Sequence, residues 1–211
     1  MQETCFDYGI IGEGEQTALE LVNAIHSGNK EEIPSIKGII FRNDSGIVRT
    51  PPRAYIEDLD TIPFPARHLL PDLKKYRYRF YKHLPTATII TSRGCPYQCT
   101  FCDRAVFGNK LRMRSIKNML DEIEILVKEY GVRGINIQDD LFTITPQRVI
   151  EFCDQLMSRK LKISWSCLAR VDCITPEMLK IMKKAGCWQI GYGIESGNQK
   201  ILNTINKNIT L

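Results

Sequence analysis

The chain has 211 residues, of which 43% are hydrophobic and 25% are charged, and its formal net charge at pH 7 is +5. These values are typical of a globular protein with one hydrophobic core, or with one domain and part of another. No apolar stretch approaches the ~20 residues that cross a bilayer, and the acidic N-terminus lacks the basic segment of a secretory signal. We therefore expect a cytoplasmic protein without a membrane span. The modest charge does not indicate nucleic-acid binding but suits small anionic ligands.

The N-terminal part has the pattern of a small α/β unit. Residues 7–11 have the composition of a short strand, and residues 15–26 have the apolar spacing of a helix. Residues 37–42 and 46–50 are predicted to pair as a hairpin around an Asn-Asp-Ser-Gly turn. This segment therefore predicts one strand and one helix followed by two antiparallel strands.

A proline-rich segment separates this unit from the rest of the chain. Five prolines lie within residues 51–72, where they favour extended, irregular backbone. We assign residues 1–50 to the remnant of an N-terminal α/β domain, residues 51–85 to a linker and residues 86–211 to a second domain.

Strands and helices alternate regularly in the second domain. Four strands are predicted, at residues 86–92, 134–138, 162–168 and 188–194. Helix-capping residues begin the helices that follow, namely Ser115, Thr145-Pro146 and Thr175-Pro176, and a last helix spans Gln199–Ile205. Four consecutive β/α units predict a parallel sheet with right-handed crossovers. Because four units cannot close an eight-stranded barrel, we expect an open partial barrel.

Three cysteines cluster directly after the first strand of this domain. The segment SRGCPYQCTFC places Cys95, Cys99 and Cys102 at the spacing C-x3-C-x2-C, on a loop where α/β proteins place their sites. Structural zinc sites have four protein ligands, and cuboidal iron–sulfur clusters take one thiolate per iron. Three cysteines without a nearby fourth ligand therefore favour a [4Fe–4S] cluster with one open iron. The alternatives are a zinc or electron-transfer site, or three buried cysteines without a metal.

The motif RGCPYQCTFC resembles the signature of the radical S-adenosylmethionine (SAM) superfamily, and the resemblance extends over residues ~86–205. It implies that the three cysteines hold a [4Fe–4S] cluster and that SAM binds the open iron through its amino and carboxylate groups. It also implies that one electron splits SAM into methionine and a 5′-deoxyadenosyl radical, with Phe101 against the adenine. The implied partners are a small-molecule substrate and an electron donor such as flavodoxin or ferredoxin.

Two adjacent carboxylates end the second strand of the domain. The resemblance places an acidic residue here against the SAM amino group, a contact that a carboxylate makes strongly. Asp139 and Asp140 point to opposite sides because side chains alternate along a strand. We therefore expect one of the two to face the site and favour Asp139, while the alternative role for either is to cap the following turn.

The third and fourth strands also end in polar residues. Arg170 is a candidate for binding the SAM carboxylate in a bidentate pair, with an ion pair to Asp172 or Asp140 as the alternative. Glu195 and Ser196 follow the fourth strand, and the resemblance implies that they contact the ribose hydroxyls.

The N-terminal part resembles the domain junction in the cobalamin-binding branch of the same superfamily. The resemblance is carried by GEGEQTALELVNAI, KGIIFR and IEDLDTIPFPARHLL. It implies a doubly wound cobalamin domain of which only the last strand and helix are present, without the histidine motif that contacts the cofactor. Cobalamin is therefore implied for a longer parent protein. About four of the family's six β/α units are present, so we expect a fragment or a truncated gene.

The function that the resemblance implies is reductive cleavage of SAM, followed in the parent protein by cobalamin-dependent methylation or by cyclisation or rearrangement. One alternative is a methylthiotransferase, although residues 1–85 contain only Cys5 where such enzymes carry a second three-cysteine site. Another alternative is a non-catalytic iron–sulfur electron carrier, whose cluster would have no open iron.

Two further features of the sequence, a basic and aromatic stretch and the remaining cysteines, are possible sites. The stretch at residues 74–82 alternates basic and aromatic side chains, which suits a solvated linker, a cover over the site or RNA binding. The five cysteines outside the triplet are expected to pack as small apolar residues rather than to bind a second cluster.

Overall fold

The computed structural model describes residues 6–76 and 81–211. Cys5 and residues 77–80 of the basic stretch lie outside the described residues. The described chain forms two compact units, one made by the residues up to Glu57 with Asp103–Gly108, the other by Asp58–Cys102 with Asn109–Leu211. Leu73, from the predicted linker, belongs to the core of the second unit. The division into remnant, linker and second domain stays a prediction.

The first unit contains one helix and a three-stranded antiparallel sheet in the order β1-β2-β3. Its elements are β1 (Tyr8–Ile10), α1 (Glu15–His26), β2 (Ile39–Asn43) and β3 (Gly46–Arg49). Six buried apolar side chains form its core: Leu21, Ala24, Ile33, Ile36, Ile39 and Phe41. The helix and the hairpin therefore form where their sequence patterns predict them.

The second unit is built on a parallel sheet in the order β4-β7-β8-β9. Its strands are β4 (Thr86–Ile89), β5 (Ser92–Arg93), β6 (Arg112–Met113), β7 (Gly134–Ile137), β8 (Ser164–Ala169) and β9 (Cys187–Tyr192). Its helices are α2 (Ile116–Tyr130), α3 (Pro146–Ser158), α4 (Pro176–Lys184) and α5 (Gln199–Thr204). The short strands β5 and β6 pair with each other. The α/β class and the four parallel β/α units are confirmed.

Local capping explains where the helices begin and end. The Ser115 hydroxyl accepts the backbone N–H of Asn118 at 3.1 Å, which satisfies one free donor at the start of α2. Gly131 ends that helix in the left-handed conformation, at φ +63°. Thr175 caps α4 in the same way as Ser115, by accepting the N–H of Met178. These caps therefore determine the residues at which α2 begins and ends and at which α4 begins.

The core of the second unit lies between the sheet and its helices. Trp165, Phe142 and Phe152 are fully buried and meet edge to face, with ring centroids 5.3 to 5.7 Å apart. Because the four strands pair in parallel, their carboxyl ends lie at one edge of the sheet. Among the described residues, no helix has the length and the apolar character that would let it cross a membrane.

The predicted strand 86–92 is shorter than expected. β4 ends at Ile89, and the backbone N–H groups of Thr91 and Ser92 bind the Asp139 carboxylate instead of a neighbouring strand. The segment after Ile89 leads into the loop that carries Cys95, Cys99 and Cys102 (the cysteine loop).

Candidate functional site

A cavity of about 390 Å³ opens at the carboxyl ends of the strands in the second unit. This is the edge at which open α/β sheets bind ligands. Seven of the nine predicted site residues lie on its wall: Cys95, Cys99, Phe101, Cys102, Asp140, Arg170 and Glu195. Asp139 and Ser196 do not line it, and Lys207 does.

The three cysteines of the motif differ in exposure. Cys99 is buried, Cys95 is half-buried and Cys102 is exposed, and none of the three is joined in a disulfide. Burial raises the pKa of the Cys95 thiol, and the nearby charges of Asp140 and of the other two cysteines raise it further. The thiols are thus close enough to influence one another across a solvent-open cavity.

The number of thiols on the cavity wall matches the needs of a cluster with an open iron. Cys95, Cys99 and Cys102 all line the cavity. A cuboidal cluster takes one thiolate per iron, whereas a structural zinc site takes four protein ligands. The three cysteines therefore fit a [4Fe–4S] cluster that leaves one iron open.

The segment after α5 holds the cysteine loop in place. The backbone N–H of Thr100 donates to the carbonyl of Ile205 at 3.0 Å. Within the loop, the N–H of Cys102 donates to the carbonyl of Cys99 at 3.2 Å. The cysteine loop is therefore anchored to the residue that directly follows α5.

Arg170 is buried and paired with groups of the chain itself. Its guanidinium makes a bidentate ion pair with Asp172, with both N–O distances at 2.9 Å. It also donates to the carbonyl of Lys207 at 2.6 Å and stacks 3.8 Å from the ring centroid of Tyr97. The structure thus shows the ion pair that the sequence left open as the alternative. Binding of the SAM carboxylate by Arg170 stays a prediction.

The two carboxylates after β7 have separate environments. Asp139 is 1% exposed, and its oxygens accept the backbone N–H and hydroxyl groups of both Thr91 and Ser92. Burial raises the pKa of Asp139, against the lowering effect of these hydrogen bonds. Asp140 is exposed and lines the cavity. Asp139 uses its acceptors to hold Thr91 and Ser92, which lie before the cysteine loop, so the structure favours Asp140 over the preferred Asp139. Which carboxylate binds the SAM amino group stays a prediction.

Glu195 lies on the cavity wall, in a pair that the sequence did not reveal. Its carboxylate accepts a hydrogen bond from the Lys207 ammonium at 2.9 Å. Lys207 is 5% exposed, and its Nζ lies 6.0 Å from the ring centroid of Phe101. The backbone of Glu195 is left-handed, at φ +63°. Ser196, next to it, accepts the N–H of Asn198 at 3.1 Å. No motif predicted Lys207 here, because lysine is ordinarily exposed and this one follows a helix in a polar stretch.

The cysteines outside the triplet pack mostly in the core. Cys153 and Cys167 are fully buried there, and Cys187 is partly buried against it. Burial raises the pKa of the Cys153 thiol to about 12, so this thiol stays protonated and behaves as an apolar group. Cys173 lies beside Tyr97 of the site, with its sulfur 3.1 Å from the Tyr97 hydroxyl oxygen.

Comparison with curated proteins identifies relatives over nearly the whole chain. An uncharacterized methyltransferase from Pyrococcus horikoshii is 37% identical over 98% of this chain and 44% of the relative. An anaerobic magnesium-protoporphyrin IX monomethyl ester cyclase from Rubrivivax gelatinosus is 34% identical over 95% of this chain and 36% of the relative. The chain therefore spans less than half the length of these relatives.

Solved structures show the same fold. OxsB, a cobalamin-dependent SAM radical enzyme with aqua-cobalamin and SAM bound, matches with a TM-score of 0.77 and 26% identity over 94% of this chain and 29% of OxsB. The radical SAM methyltransferase TsrM from Kitasatospora setae shares the fold, with a TM-score of 0.70 and 21% identity over 97% of this chain and 41% of TsrM.

A model of the radical SAM superfamily matches residues 89–211, which include the cysteine triplet and every strand end that lines the cavity. The relatives are named as methyltransferases and cyclases, which fits the main prediction and neither the methylthiotransferase nor the electron-carrier alternative. The chain belongs to the radical SAM superfamily.

Proposed function

We propose that this chain is the part of a longer enzyme that cleaves SAM reductively at a [4Fe–4S] cluster. In the full-length protein, the radical would serve cobalamin-dependent methylation, or cyclisation or rearrangement, of a small-molecule substrate. One observation carries the proposal. All three motif cysteines line the same cavity as Asp140 and two buried cations, Arg170 and Lys207. No other described feature of the chain combines thiols, a carboxylate and cations in this way.

Cys95, Cys99 and Cys102 would hold the cluster, and their thiols would be deprotonated when they bind it. When bound and reduced, the cluster supplies one electron to the sulfonium of SAM, and the C5′–S bond breaks to give methionine and a 5′-deoxyadenosyl radical.

The remaining side chains suit the polar groups of SAM. Asp140 is an exposed carboxylate on the wall and would accept the ammonium. Lys207 donates one of its three N–H groups to Glu195 and would direct the others to the SAM carboxylate, because Arg170 is already paired with Asp172. Phe101, 55% exposed, would lie against the adenine.

The ribose hydroxyls would bind at the end of β9. Glu195 lies on the cavity wall and keeps acceptor capacity beyond its bond to Lys207. Ser196 is adjacent, and its contact with the ribose remains part of the proposal.

The wider role of the parent protein is supported by its relatives. OxsB is described as cobalamin-dependent, and the magnesium-protoporphyrin relative is named a cyclase. On this basis we assign cobalamin and the final substrate to the full-length protein. A flavodoxin- or ferredoxin-type electron donor and a cytoplasmic location belong to the same proposal.

Product analysis tests the cleavage of SAM by the chain itself. The protein is reconstituted with iron and sulfide without oxygen, reduced, and assayed for 5′-deoxyadenosine and methionine. We expect both products from the wild type. Asp140→Asn should yield about tenfold less of both at low SAM concentration, because a charge-assisted hydrogen bond is lost. Asp154→Asn, on the exposed face of α3, is the control and should yield as much as the wild type. A filled cluster that yields no 5′-deoxyadenosine would refute the proposal.

A further inference from the structure

We propose that Arg170 is a positioning residue of the cluster site, which holds the Cys99 thiolate in place and raises the reduction potential of the cluster. This inference rests on the proposed function, because it concerns the cluster that the three cysteines would hold. It goes further in assigning to Arg170 a role in the redox chemistry rather than in the binding of SAM.

The contacts of the guanidinium define this role. Four of its N–H donors point at groups of the chain: two at the Asp172 carboxylate, one at the Lys207 carbonyl and one at the Cys99 sulfur. The distance from Nη1 to the Cys99 Sγ is 3.8 Å. Since a guanidinium has five donors, little of its hydrogen-bonding capacity remains for a ligand.

Arg170 connects three segments of the site. Its guanidinium stacks on Tyr97 in the cysteine loop, binds the Asp172 carboxylate just beyond β8 and donates to the carbonyl of Lys207 after α5. The bond from Thr100 to Ile205 joins two of the same segments. Movement of Cys99 would therefore require several of these contacts to break together.

The charges around Arg170 are arranged asymmetrically. The Arg170 side chain is 7% exposed, whereas the Asp172 side chain that neutralises it is 36% exposed and faces solvent. Solvent screens the carboxylate more than the guanidinium, so the positive charge is felt more strongly on the Cys99 side. Hydrogen bonds to the sulfurs and the local net charge set the potentials of iron–sulfur clusters. A buried cation at a ligand sulfur stabilises the added electron and raises the potential.

A purely structural ion pair would stabilise the fold and leave the potential unchanged. The two roles are separated by substitutions on the two partners of the pair. Removal of the cation should lower the potential, whereas removal of the anion should raise it, because the guanidinium then acts without compensation. A structural role predicts lower stability in both variants and no opposite shift.

The experiment is a redox titration of the reconstituted full chain without SAM, followed by the EPR signal of the reduced cluster. We expect Arg170→Gln to lower the ratio of reduced to oxidised cluster about tenfold at a fixed potential, which is a shift of 59 mV for one electron. Asp172→Asn should shift the potential upward by a smaller amount, and Arg170→Lys should recover part of the loss. Arg159→Gln, which removes a cation from a pair with Asp121 and Glu124 on α2, serves as the control and should leave the potential unchanged.

The possible results decide between the inference and the proposal on which it rests. Wild-type potentials in both Arg170→Gln and Asp172→Asn, or shifts in the same direction, would overturn the role of Arg170 and leave the cluster assignment intact. If Arg170→Gln does not fold, the sign of the Asp172→Asn shift decides. A wild-type chain without a reduced-cluster signal would overturn the proposed function itself, and the inference with it.

Discussion

Asp139 and Asp140 are neighbours in sequence, yet their carboxylates lie in different environments at the end of β7. Asp139 is buried and accepts four hydrogen bonds from Thr91 and Ser92, which lead into the cysteine loop. Asp140 is exposed and lines the cavity. One residue therefore shapes the loop that carries the thiols, and the other is available to a ligand.

The first prediction concerns the stability that Asp139 contributes. Asp139→Ala leaves two buried backbone N–H groups and two hydroxyls without their acceptor, and each unsatisfied group costs about 1–3 kcal/mol. We expect the free energy of unfolding to fall by about 4 kcal/mol or more, measured by urea denaturation at neutral pH. Asp140→Ala is the matched control and should change it by less than about 0.5 kcal/mol. Equal effects of the two substitutions would contradict the separation of roles.

The second prediction concerns a buried ion pair that joins the segment before β4 to α2. The Glu122 side chain is 2% exposed and lies between the guanidinium groups of Arg67 and Arg114. Glu122→Ala leaves two cations without their anion, which costs about 3–5 kcal/mol and should lower the melting temperature by roughly 10 °C.

The control for Glu122 is the surface pair of Lys117 and Asp121 on the same helix. The Lys117 side chain is 80% exposed, so Lys117→Ala should change the free energy of unfolding by less than about 1 kcal/mol. A small effect of Glu122→Ala, similar to that of the surface pair, would show that the buried pair is not important for stability.

The third prediction concerns the space around Gly193. A Cβ at this position would lie 2.7 Å from the Glu195 carboxylate and 3.1 Å from the Lys207 ammonium. Gly193→Ala should therefore push the two side chains apart without displacing backbone. We expect SAM affinity to fall about tenfold, consistent with the loss of one charged hydrogen bond, while the melting temperature changes little.

Equilibrium binding of SAM to the reconstituted chain measures this effect. Gly191→Ala provides a comparison, since its Cβ would meet Leu168 at 2.8 Å and alter the apolar wall instead of the ion pair. Unchanged SAM binding in Gly193→Ala would argue against a role for the Glu195–Lys207 pair in the site.

The fourth prediction is the pH dependence of a surface pair. Hydrogen bonds from Lys117, and then from Arg159, hold the pKa of Asp121 below its ordinary value of 3.8. A carboxyl whose pKa is lowered on folding stabilises the fold above its unfolded pKa, and this contribution is lost as the pH falls through the lowered value. Asp121→Asn should thus cost less than about 1 kcal/mol at pH 6, because solvent screens this half-exposed group, and the cost should shrink as the pH falls below 3.8. A cost that grows toward low pH would contradict the sign of this shift.

Local sequence patterns predicted most of the fold. α2 and α4 begin directly after Ser115 and Thr175 because these side chains cap the first turn. α2 ends just before Gly131 because glycine adopts the left-handed conformation without strain. The apolar alternation and the β/α spacing indicated the parallel sheet. Such signals depend on residues within one turn or one strand, so they can be recognised without the folded chain.

The parts that could not be predicted depend on contacts between distant segments. The choice between Asp139 and Asp140 is determined by Thr91 and Ser92, more than 40 residues earlier in the chain. Lys207 reaches the cavity only because the chain after α5 folds back beside the cysteine loop. The environment of Arg170 likewise combines three segments, and sequence alone left its ion pair as one of two possibilities.

The EPR spectrum of the reduced chain, recorded with and without SAM, is the sharpest test of a cluster with an open iron. We expect a [4Fe–4S] signal whose g values change when SAM is added, because three cysteines leave one iron open. Cys99→Ala should lose that signal, while Cys153→Ala, which alters a buried core thiol, should keep it. A spectrum that does not respond to SAM, or a full four-iron signal in Cys99→Ala, would contradict the assignment of Cys95, Cys99 and Cys102 as the ligands of an open cluster.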